Sequence, residues 1–167
     1  FHTMFRRIGR WLLIAGLVAL AGVLILQFWF IAHLLHWRDH NPTSTAFMRD
    51  QLRELQAKDP GARLVHQWVD YDRISIHLKR AVIAAEDAQF AEHDGVDWDA
   101  IDRALERNVS RGRIVGGGST ITMQLAKNLF LSPRQSYLRK GQEIVIAFMI
   151  EHLMSKRRIL ELYLNVA

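Results

Sequence analysis

The chain has 167 residues, half of them hydrophobic, and no cysteine, which excludes a disulfide framework and thiolate chemistry. Its net charge of +5 is uneven: residues 1–40 contribute +3 from four arginines and one aspartate, and the rest contribute +2 from 18 basic and 16 acidic side chains. No basic run with interleaved aromatic residues occurs, so the composition does not indicate a nucleic-acid partner.

Residues 11–35 contain no charged side chain and are almost entirely apolar. As a helix this segment is about 37 Å long, which exceeds a hydrocarbon core of about 30 Å. A buried helix of a soluble protein is disfavoured because the segment has no polar face. A cleaved signal peptide is disfavoured because cleavage after residues 19–21 would leave a long apolar remnant. The pattern therefore predicts a single uncleaved transmembrane helix.

The charges that flank this helix predict its orientation. Residues 1–10 carry three arginines, whereas Arg38 beyond the span is offset by Asp39. Positive charge is retained on the cytoplasmic side of a membrane. We therefore expect residues 1–10 in the cytoplasm, one pass through the cytoplasmic (inner) membrane, and the remainder of the chain on the periplasmic side.

Beyond the span, apolar periodicity and turn signals predict a mainly helical polypeptide. A polar helix at 44–57 has a weak apolar face, so we expect it in a juxtamembrane segment, residues 36–63, rather than in the core. Residues 64–71 have the composition of a short strand or an extended piece. No βαβ pattern occurs. Five further helices are predicted at residues 76–88, 98–108, 120–131, 138–153 and 156–164.

Two acidic residues stand out within these helices. Glu86 ends an apolar helical run, where partial burial would make its carboxylate a usable general base. The adjacent Asp87 is expected to be a structural acceptor. Glu143 enters a nearly all-apolar helix, so its carboxylate must be paired or functional, and Lys140 one turn earlier is the obvious partner. Structural or salt-bridge roles are expected for three further residues: His93, Glu151 and Glu161.

The glycine run at 116–118 lies before a predicted helix start. It is not a Walker loop, because no Lys-Ser/Thr pair follows at the required spacing. Glycines allow close backbone approach, and the hydroxyls of Ser119 and Thr120, with the amides of the helix start, would favour an anion. Lys127 lies two turns further on, and Lys140 is expected to converge with it. This pattern indicates contact with a phosphate or pyrophosphate.

Four blocks occur in order at residues 86–95, 117–128, 139–143 and 155–165. Together they resemble the peptidoglycan glycosyltransferase family, in which such motifs occur in monofunctional biosynthetic transglycosylases and in the first domain of bifunctional penicillin-binding proteins. The resemblance covers residues 64–167. It implies a lysozyme-like helical domain after the membrane helix, of the monofunctional type and incomplete at residue 167.

The resemblance implies a role in cell wall biogenesis and cell shape: polymerisation of lipid II into β-1,4-linked glycan strands, with inversion at the donor sugar and release of undecaprenyl pyrophosphate. Glu86 would deprotonate the 4-hydroxyl of the acceptor GlcNAc, and Glu143 would be the second essential acid. The residues expected to contact the substrate or its pyrophosphate are Lys127, Lys140, Arg139, Ser119, Thr120, Gln124 and Asn128.

No cofactor is required by the sequence, although a divalent cation (Mg²⁺ or Mn²⁺) positioned by Glu143 is left open. The expected partners are lipid II, the growing glycan strand, the membrane and other cell wall synthesis or division proteins. The sequence departs from the family at Met123, where a second Gln is usual and a polar contact is therefore lost. It also departs at Gln135, where an Arg is frequent; Arg134 stands one residue earlier.

Two alternative functions remain. A lysozyme-type glycoside hydrolase also uses paired acids in a helical fold, but it needs no membrane anchor and no lysine-rich anion clamp such as Lys127 and Lys140. A non-catalytic, membrane-anchored assembly factor would retain the fold without the reaction. The presence of both Glu86 and Glu143 argues against that second alternative.

Overall fold

The computed structural model describes residues 2–113, 117–134 and 136–166, with side chains described from residue 7 onward. These residues form a short 3₁₀ helix at Tyr71–Arg73 and no β-strand. The prediction of a mainly helical protein is confirmed. The α-helices are α1 (His2–Asp39), α2 (Ala46–Lys58), α3 (Ile76–Glu86), α4 (Trp98–Ser110), α5 (Ile121–Phe130), α6 (Tyr137–Leu153) and α7 (Lys156–Val166).

The chain divides into two compact units, Phe1–His36 and Trp37–Ala167. The first unit is most of α1. Within α1, the segment Arg7–Asp39 has a mean hydropathy of 2.4 over its most apolar window, and none of that window is buried. Its 33 residues make a helix of about 50 Å. The segment is therefore long and apolar enough to cross a membrane, and it contains the span predicted at residues 11–35.

The second unit owes its helix boundaries to side-chain caps. At six helix starts a Ser, Thr or Asp side chain accepts a hydrogen bond from an amide two or three residues later, which satisfies one of the unpaired amides of the first turn. The predicted boundaries agree with the structure to within about two residues because such caps are readable from sequence. The capping residues are Thr45, Ser75, Asp97, Thr120, Ser136 and Ser155.

Helix α5 is the centre of this unit and contacts α2, α6 and α7. Seven of its ten residues are buried. Burial of that much apolar surface, at about 25 cal/mol per Å², makes the helix the main anchor of the fold. Gln124 and Lys127 are half-buried polar residues on α5. The rest of the core includes Ile146, Ala147, Ile150, Ile159, Leu160 and Leu162.

Helix α2 departs from its prediction. From its weak apolar face we predicted that it lies outside the core, and this prediction is wrong. Ala46 and Met48 in its first turn are buried, and the helix contacts α5. The polar remainder of α2 obscures this contact in the sequence, because only one end of the helix is packed.

Residues 64–70 are extended and belong to no strand of the described chain. They are held by α7 instead of by a neighbouring strand. The side chain of Asn165 accepts a hydrogen bond from the Val69 amide at 2.8 Å and donates one to the Val69 carbonyl at 2.9 Å. The side-chain NH₂ group of Asn165 also donates to the Glu161 carbonyl within α7. One side chain thus satisfies backbone groups that a sheet would otherwise satisfy.

Candidate active site

Glu86 is the last residue of α3, and its side chain is exposed. The expectation of partial burial is therefore wrong. The helix stops here because Asp87 adopts a non-helical conformation (φ −160°, ψ 77°) and turns the chain into the next loop. The Glu86 carboxylate consequently projects from a helix end. Its Oε2 accepts a hydrogen bond of 2.9 Å from Nε2 of Gln124 on α5.

An open cleft of about 240 Å³ lies beside Glu86. Its walls are the end of α3, one face of α4 and the loop that precedes α5. Carboxylates and guanidinium groups both line it, so the cleft is polar and suits a sugar or an anionic group better than an apolar ligand. The charged residues of its lining are Glu86, Asp87, Asp97, Arg103 and Arg107, and the loop contributes Gly117, Gly118, Ser119 and Thr120.

Asp87, the neighbour of Glu86, is buried and acts as a structural acceptor, as predicted. Its Oδ2 accepts a hydrogen bond of 3.0 Å from the amide of Ile121, the first residue of α5. Nε2 of His93 lies 2.9 Å from the same carboxylate. Nδ1 of His93 accepts from the Gly95 amide at 3.1 Å, so Nε2 carries the proton that is donated to Asp87. His93 is structural, with a carboxylate as its partner rather than a carbonyl.

The start of α5 is already satisfied by protein groups. Oγ1 of Thr120 accepts from the Met123 amide at 3.1 Å and donates to the Gly95 carbonyl at 2.6 Å. Asp87 holds the Ile121 amide, and its charge is favourable at the positive end of the helix dipole. The two amides are therefore committed to capping α5. A substrate contact of Thr120 stays a prediction.

The glycine loop is fixed to α4 by close backbone packing. A Cβ at Gly118 would lie 2.6 Å from Cα and 2.8 Å from N of Ile101, which is closer than real side chains approach. Gly118 is therefore required by this contact, which keeps the loop against the wall of the cleft. Gly117 has no such contact, since its nearest neighbour would be 4.0 Å away.

Glu143 is 3% exposed and is paired with two cations. Nζ of Lys140 lies 2.6 Å from its Oε1, and Nη1 of Arg139 lies 3.1 Å from its Oε2. The predicted pairing with Lys140 is confirmed. Nζ of Lys140 also donates to Oγ of Ser119 at 2.8 Å. This second bond connects the Glu143 cluster to the loop that lines the cleft of Glu86.

Lys127 lines a second cavity of about 240 Å³ together with Asn128 and Arg139. Within the described part of the chain its Nζ has no hydrogen-bond or ion-pair partner, unlike that of Lys140. The structure brings Lys127 together with Arg139, whereas Lys140 is directed to Ser119 and Glu143. The carboxylates of Asp50 and Glu54 line the same cavity, so its lining carries charges of both signs.

The other acids have the structural roles expected of them. Glu151 accepts from the Thr122 hydroxyl at 2.6 Å and from Nζ of Lys156 at 2.9 Å. Glu161 accepts from the Tyr71 amide at 2.8 Å and from Arg158 at 2.7 Å. These contacts join α7 to α5, α6 and the 3₁₀ helix.

A divalent cation does not fit the Glu143 site. Arg139 and Lys140 already place two positive charges on that carboxylate, so a third cation would be repelled. Among residues 2–113, 117–134 and 136–166, no group of three or more His, Asp or Glu side chains is arranged to hold a metal.

The two departures from the family pattern have different structural contexts. Met123 is fully buried and packs in a core cluster with Val96 and Ala147. It therefore contributes apolar packing at a place where the sequence suggests a lost polar contact. Arg134 is exposed, and its amide donates to Oγ of Ser132 at 3.2 Å. Gln135 lies outside the described residues.

Tyr163 belongs to the site although the sequence analysis assigned it no role. Its hydroxyl donates a hydrogen bond of 3.1 Å to Oε1 of Gln124, whose Nε2 donates to Glu86. Burial raises the pKa of the Tyr163 hydroxyl above its ordinary value, and the charge of Glu86 adds to this effect. The one indication in the sequence is that Tyr163 lies in the fourth motif block, residues 155–165. Its contact with α5 could not be predicted, because that contact depends on tertiary structure.

A family model described as Transglycosylase matches residues 52–167. The chain is 62% identical over 161 residues to the biosynthetic peptidoglycan transglycosylase of Azoarcus sp. (strain BH72), covering 96% of this chain and 70% of that protein. It is 54% identical over 163 residues to the protein of the same name from Janthinobacterium sp. (strain Marseille), covering 98% and 69%. Identity to the Thiobacillus denitrificans (strain ATCC 25259 / T1) protein of that name is 60% over 161 residues, covering 96% and 69%.

Proposed function

The chain belongs to the transglycosylase family and is a peptidoglycan glycosyltransferase with a lysozyme-like helical domain, and from this premise we propose that lipid II is its substrate. It joins lipid II units into β-1,4-linked glycan strands in cell wall biosynthesis. Each transfer inverts the donor sugar and releases undecaprenyl pyrophosphate. Neither the hydrolase nor the assembly factor is favoured by the relatives' names.

Glu86 is the base of this reaction. Its carboxylate takes the proton of the acceptor GlcNAc 4-hydroxyl as that oxygen forms a bond to C1 of the donor MurNAc. The bond from C1 to the pyrophosphate oxygen breaks, and the electron pair leaves with the pyrophosphate. The observation that carries this assignment is the exposed carboxylate of Glu86 at an open cleft, where its side-chain contact is the neutral amide of Gln124. A base must reach the proton that it abstracts, and an exposed helix end permits this.

Lys127 and Arg139 bind the pyrophosphate of the donor. They line one cavity, which Asp50 and Glu54 also line. Within the described part of the chain Lys127 has no ion-pair partner, so its charge is available to an anionic ligand. Charge-assisted contacts of this kind stabilise the negative charge that develops on the leaving group. Asn128 lines the same cavity. Lys140 contributes through Ser119, because it ties the loop of the Glu86 cleft to Glu143.

The membrane helix keeps the enzyme at the surface where a lipid-borne substrate resides. The arginines before the span place the N-terminus in the cytoplasm, and the helical unit then works on the periplasmic side of the inner membrane. Other proteins of cell wall synthesis or division are expected to act with it there.

The test is polymerisation of lipid II by the purified chain in detergent or lipid vesicles, compared with the Glu86→Gln variant. Loss of a general base lowers the rate by about 10²- to 10⁴-fold, so we expect glycan strands from the wild type and almost none from the variant. The matched control is Glu106→Gln, since Glu106 is an exposed glutamate of α4 that does not line the cleft.

Each outcome distinguishes the candidate functions. Polymer formation that Glu86→Gln abolishes and Glu106→Gln preserves supports the transferase and its base. Degradation of preformed glycan with no use of lipid II would establish the hydrolase. Binding of lipid II without either reaction would favour the assembly factor. Equal activity of wild type and Glu86→Gln would leave the transferase standing and remove Glu86 from the role of base.

A further inference from the structure

Three side chains from three helices form one hydrogen-bonded chain that ends at the candidate base. Tyr163 of α7 donates to Oε1 of Gln124 at 3.1 Å. Gln124 of α5 donates from Nε2 to Oε2 of Glu86, at the end of α3, at 2.9 Å. Tyr163 is buried and Glu86 is exposed, so the chain runs from the core to the cleft. A surface carboxylate is thereby connected to the best-packed part of the unit.

The order of donors in this chain has a chemical reason. A primary amide has an acceptor end and a donor end, and a carboxylate can only accept. If the amide of Gln124 were reversed, its carbonyl oxygen would face the Glu86 carboxylate, and two acceptors would meet. The carboxylate therefore selects the orientation in which the NH₂ group faces Glu86, and in that orientation the Tyr163 hydroxyl donates to Oε1 and holds the amide from the other side.

We propose that Tyr163 is a positioning residue for the base: its hydroxyl fixes the amide of Gln124 so that the NH₂ group holds the Glu86 carboxylate over the cleft. This inference rests on the proposed function of Glu86. It gives Gln124 the task of orienting the base instead of the substrate contact that its motif suggests. Tyr163 acts through Gln124 and touches no substrate.

The surroundings of Tyr163 support this role. The side chain is 7% exposed, so bulk water does not compete for its hydroxyl and the amide has a fixed partner. A tyrosine with the ordinary pKa of about 10 is already protonated in the neutral range, and burial raises the pKa of Tyr163 further, so its hydroxyl can donate. The amide also positions Glu86 without a positive charge, whereas a lysine in its place would form an ion pair and make the carboxylate a weaker base.

The contrasting explanation is that Tyr163 only fills space between α5 and α7. The two roles separate in the Tyr163→Phe variant, which keeps the ring and its packing but loses the hydroxyl. A packing role requires the ring alone, and the variant would then polymerise lipid II like the wild type. A positioning role requires the hydroxyl, and the variant would then lose turnover.

The experiment is a double-mutant cycle of Tyr163→Phe and Gln124→Leu, with lipid II as the substrate and separate determination of kcat and KM. Loss of one neutral hydrogen bond should lower kcat about three- to tenfold in Tyr163→Phe. Loss of the bond to the charged carboxylate should lower kcat roughly 10- to 100-fold in Gln124→Leu. KM should stay within about twofold of wild type, because neither side chain binds substrate.

The double variant decides whether the two residues act as one unit. Its kcat should match that of Gln124→Leu within about twofold, because the Tyr163 hydroxyl has no side chain to position when the Gln124 amide is absent. Multiplicative losses would show that Tyr163 acts independently of Gln124 and would overturn the proposal. So would an unchanged kcat in Tyr163→Phe, or a rise in KM that accounts for the whole loss.

A second variant and a control keep the result independent of folding. Gln124→Glu retains an acceptor for Tyr163 but replaces the donor by a like charge beside Glu86, so kcat should fall at least as far as in Gln124→Leu. Tyr71→Phe is the matched tyrosine control, because Tyr71 lies outside both cavities, and it should keep wild-type kcat. Unimpaired activity in Gln124→Glu would overturn the proposal. A wild type that never uses lipid II would instead refute the proposed function.

Discussion

Glu86 and Glu143 are the two acids on which the candidate site depends, and their surroundings are opposite. Glu143 is 3% exposed and contacts Arg139 and Lys140. Glu86 is exposed and accepts a hydrogen bond from the neutral amide of Gln124. Because a base must reach the proton that it abstracts, the exposed acid at the cleft is better placed to accept a proton from a bound hydroxyl. The buried acid is better suited to hold two cations in place.

The largest expected effect tests the buried half of this comparison. In Glu143→Ala the charge of Arg139 stays mostly buried without its partner, and Lys140 loses one of two contacts. Breaking such a pair costs about 3 kcal/mol of the free energy of unfolding, with the exposed part of Lys140 screened by solvent. Denaturant unfolding of the detergent-solubilised chain would measure this.

Glu86→Gln is the matched variant for that measurement. Its side chain is exposed, so the free energy of unfolding should stay within about 0.5 kcal/mol of wild type. Equal destabilisation by the two variants would contradict the division of roles between the two glutamates.

The loop between the two acids gives the next largest effect. Gly118→Ala would force a Cβ to within 2.6 Å of the Ile101 backbone, and such overpacking costs about 2 kcal/mol. Gly117→Ala meets nothing closer than 4.0 Å and should leave stability unchanged. Unfolding of both variants under identical conditions tests this, and a tolerated Gly118→Ala would show that the loop is free to move away from α4.

The two lysines provide a smaller and more specific test. Lys127→Met should lower kcat/KM about tenfold, as expected for one lost charge-assisted contact, and should hardly change stability. It should also weaken inhibition of polymerisation by added inorganic pyrophosphate. Lys140→Met should instead lower the free energy of unfolding, because Glu143 loses a partner. If both variants changed kcat/KM and the free energy of unfolding alike, Lys127 would not be a ligand contact distinct from the structural contact of Lys140.

The smallest effect is the pH dependence caused by Tyr163. Its pKa is raised in the folded state, so the unfolded chain loses this proton first as the pH rises. Its contribution to stability is complete below the ordinary tyrosine value, about 10, and is lost between that value and the raised one. From about pH 9 to about pH 11, the free energy of unfolding of wild type should therefore fall more than that of Tyr163→Phe. Parallel losses in the two proteins would contradict this assignment.

The sequence predicted the helices well because their caps and periodicity are local. For example, Thr120 and Ser136 predict the starts of α5 and α6 from local sequence alone. The pairing of Glu143 with Lys140 was equally readable, since residues three apart on a helix are neighbours. Local rules account for both successes.

The failures concern contacts between distant segments. The exposure of Glu86 depends on where α3 stops, and Asp87 determines this by leaving the helical conformation and binding the start of α5. The burial of the first turn of α2 depends on its contact with α5. The role of Tyr163 depends on a partner 39 residues away. No periodicity within one helix reports such contacts.

The two hydrogen bonds between the Asn165 side chain and the Val69 backbone have a consequence for the synthesis and folding of the protein. The two residues are 96 positions apart. At about 5–20 residues per second, the ribosome needs roughly 5–20 s to proceed from one to the other. During that time the extended segment has emerged before the side chain that satisfies its backbone exists. The nascent domain therefore cannot complete its folding until α7 has been synthesised, so the rate of translation limits when folding is complete.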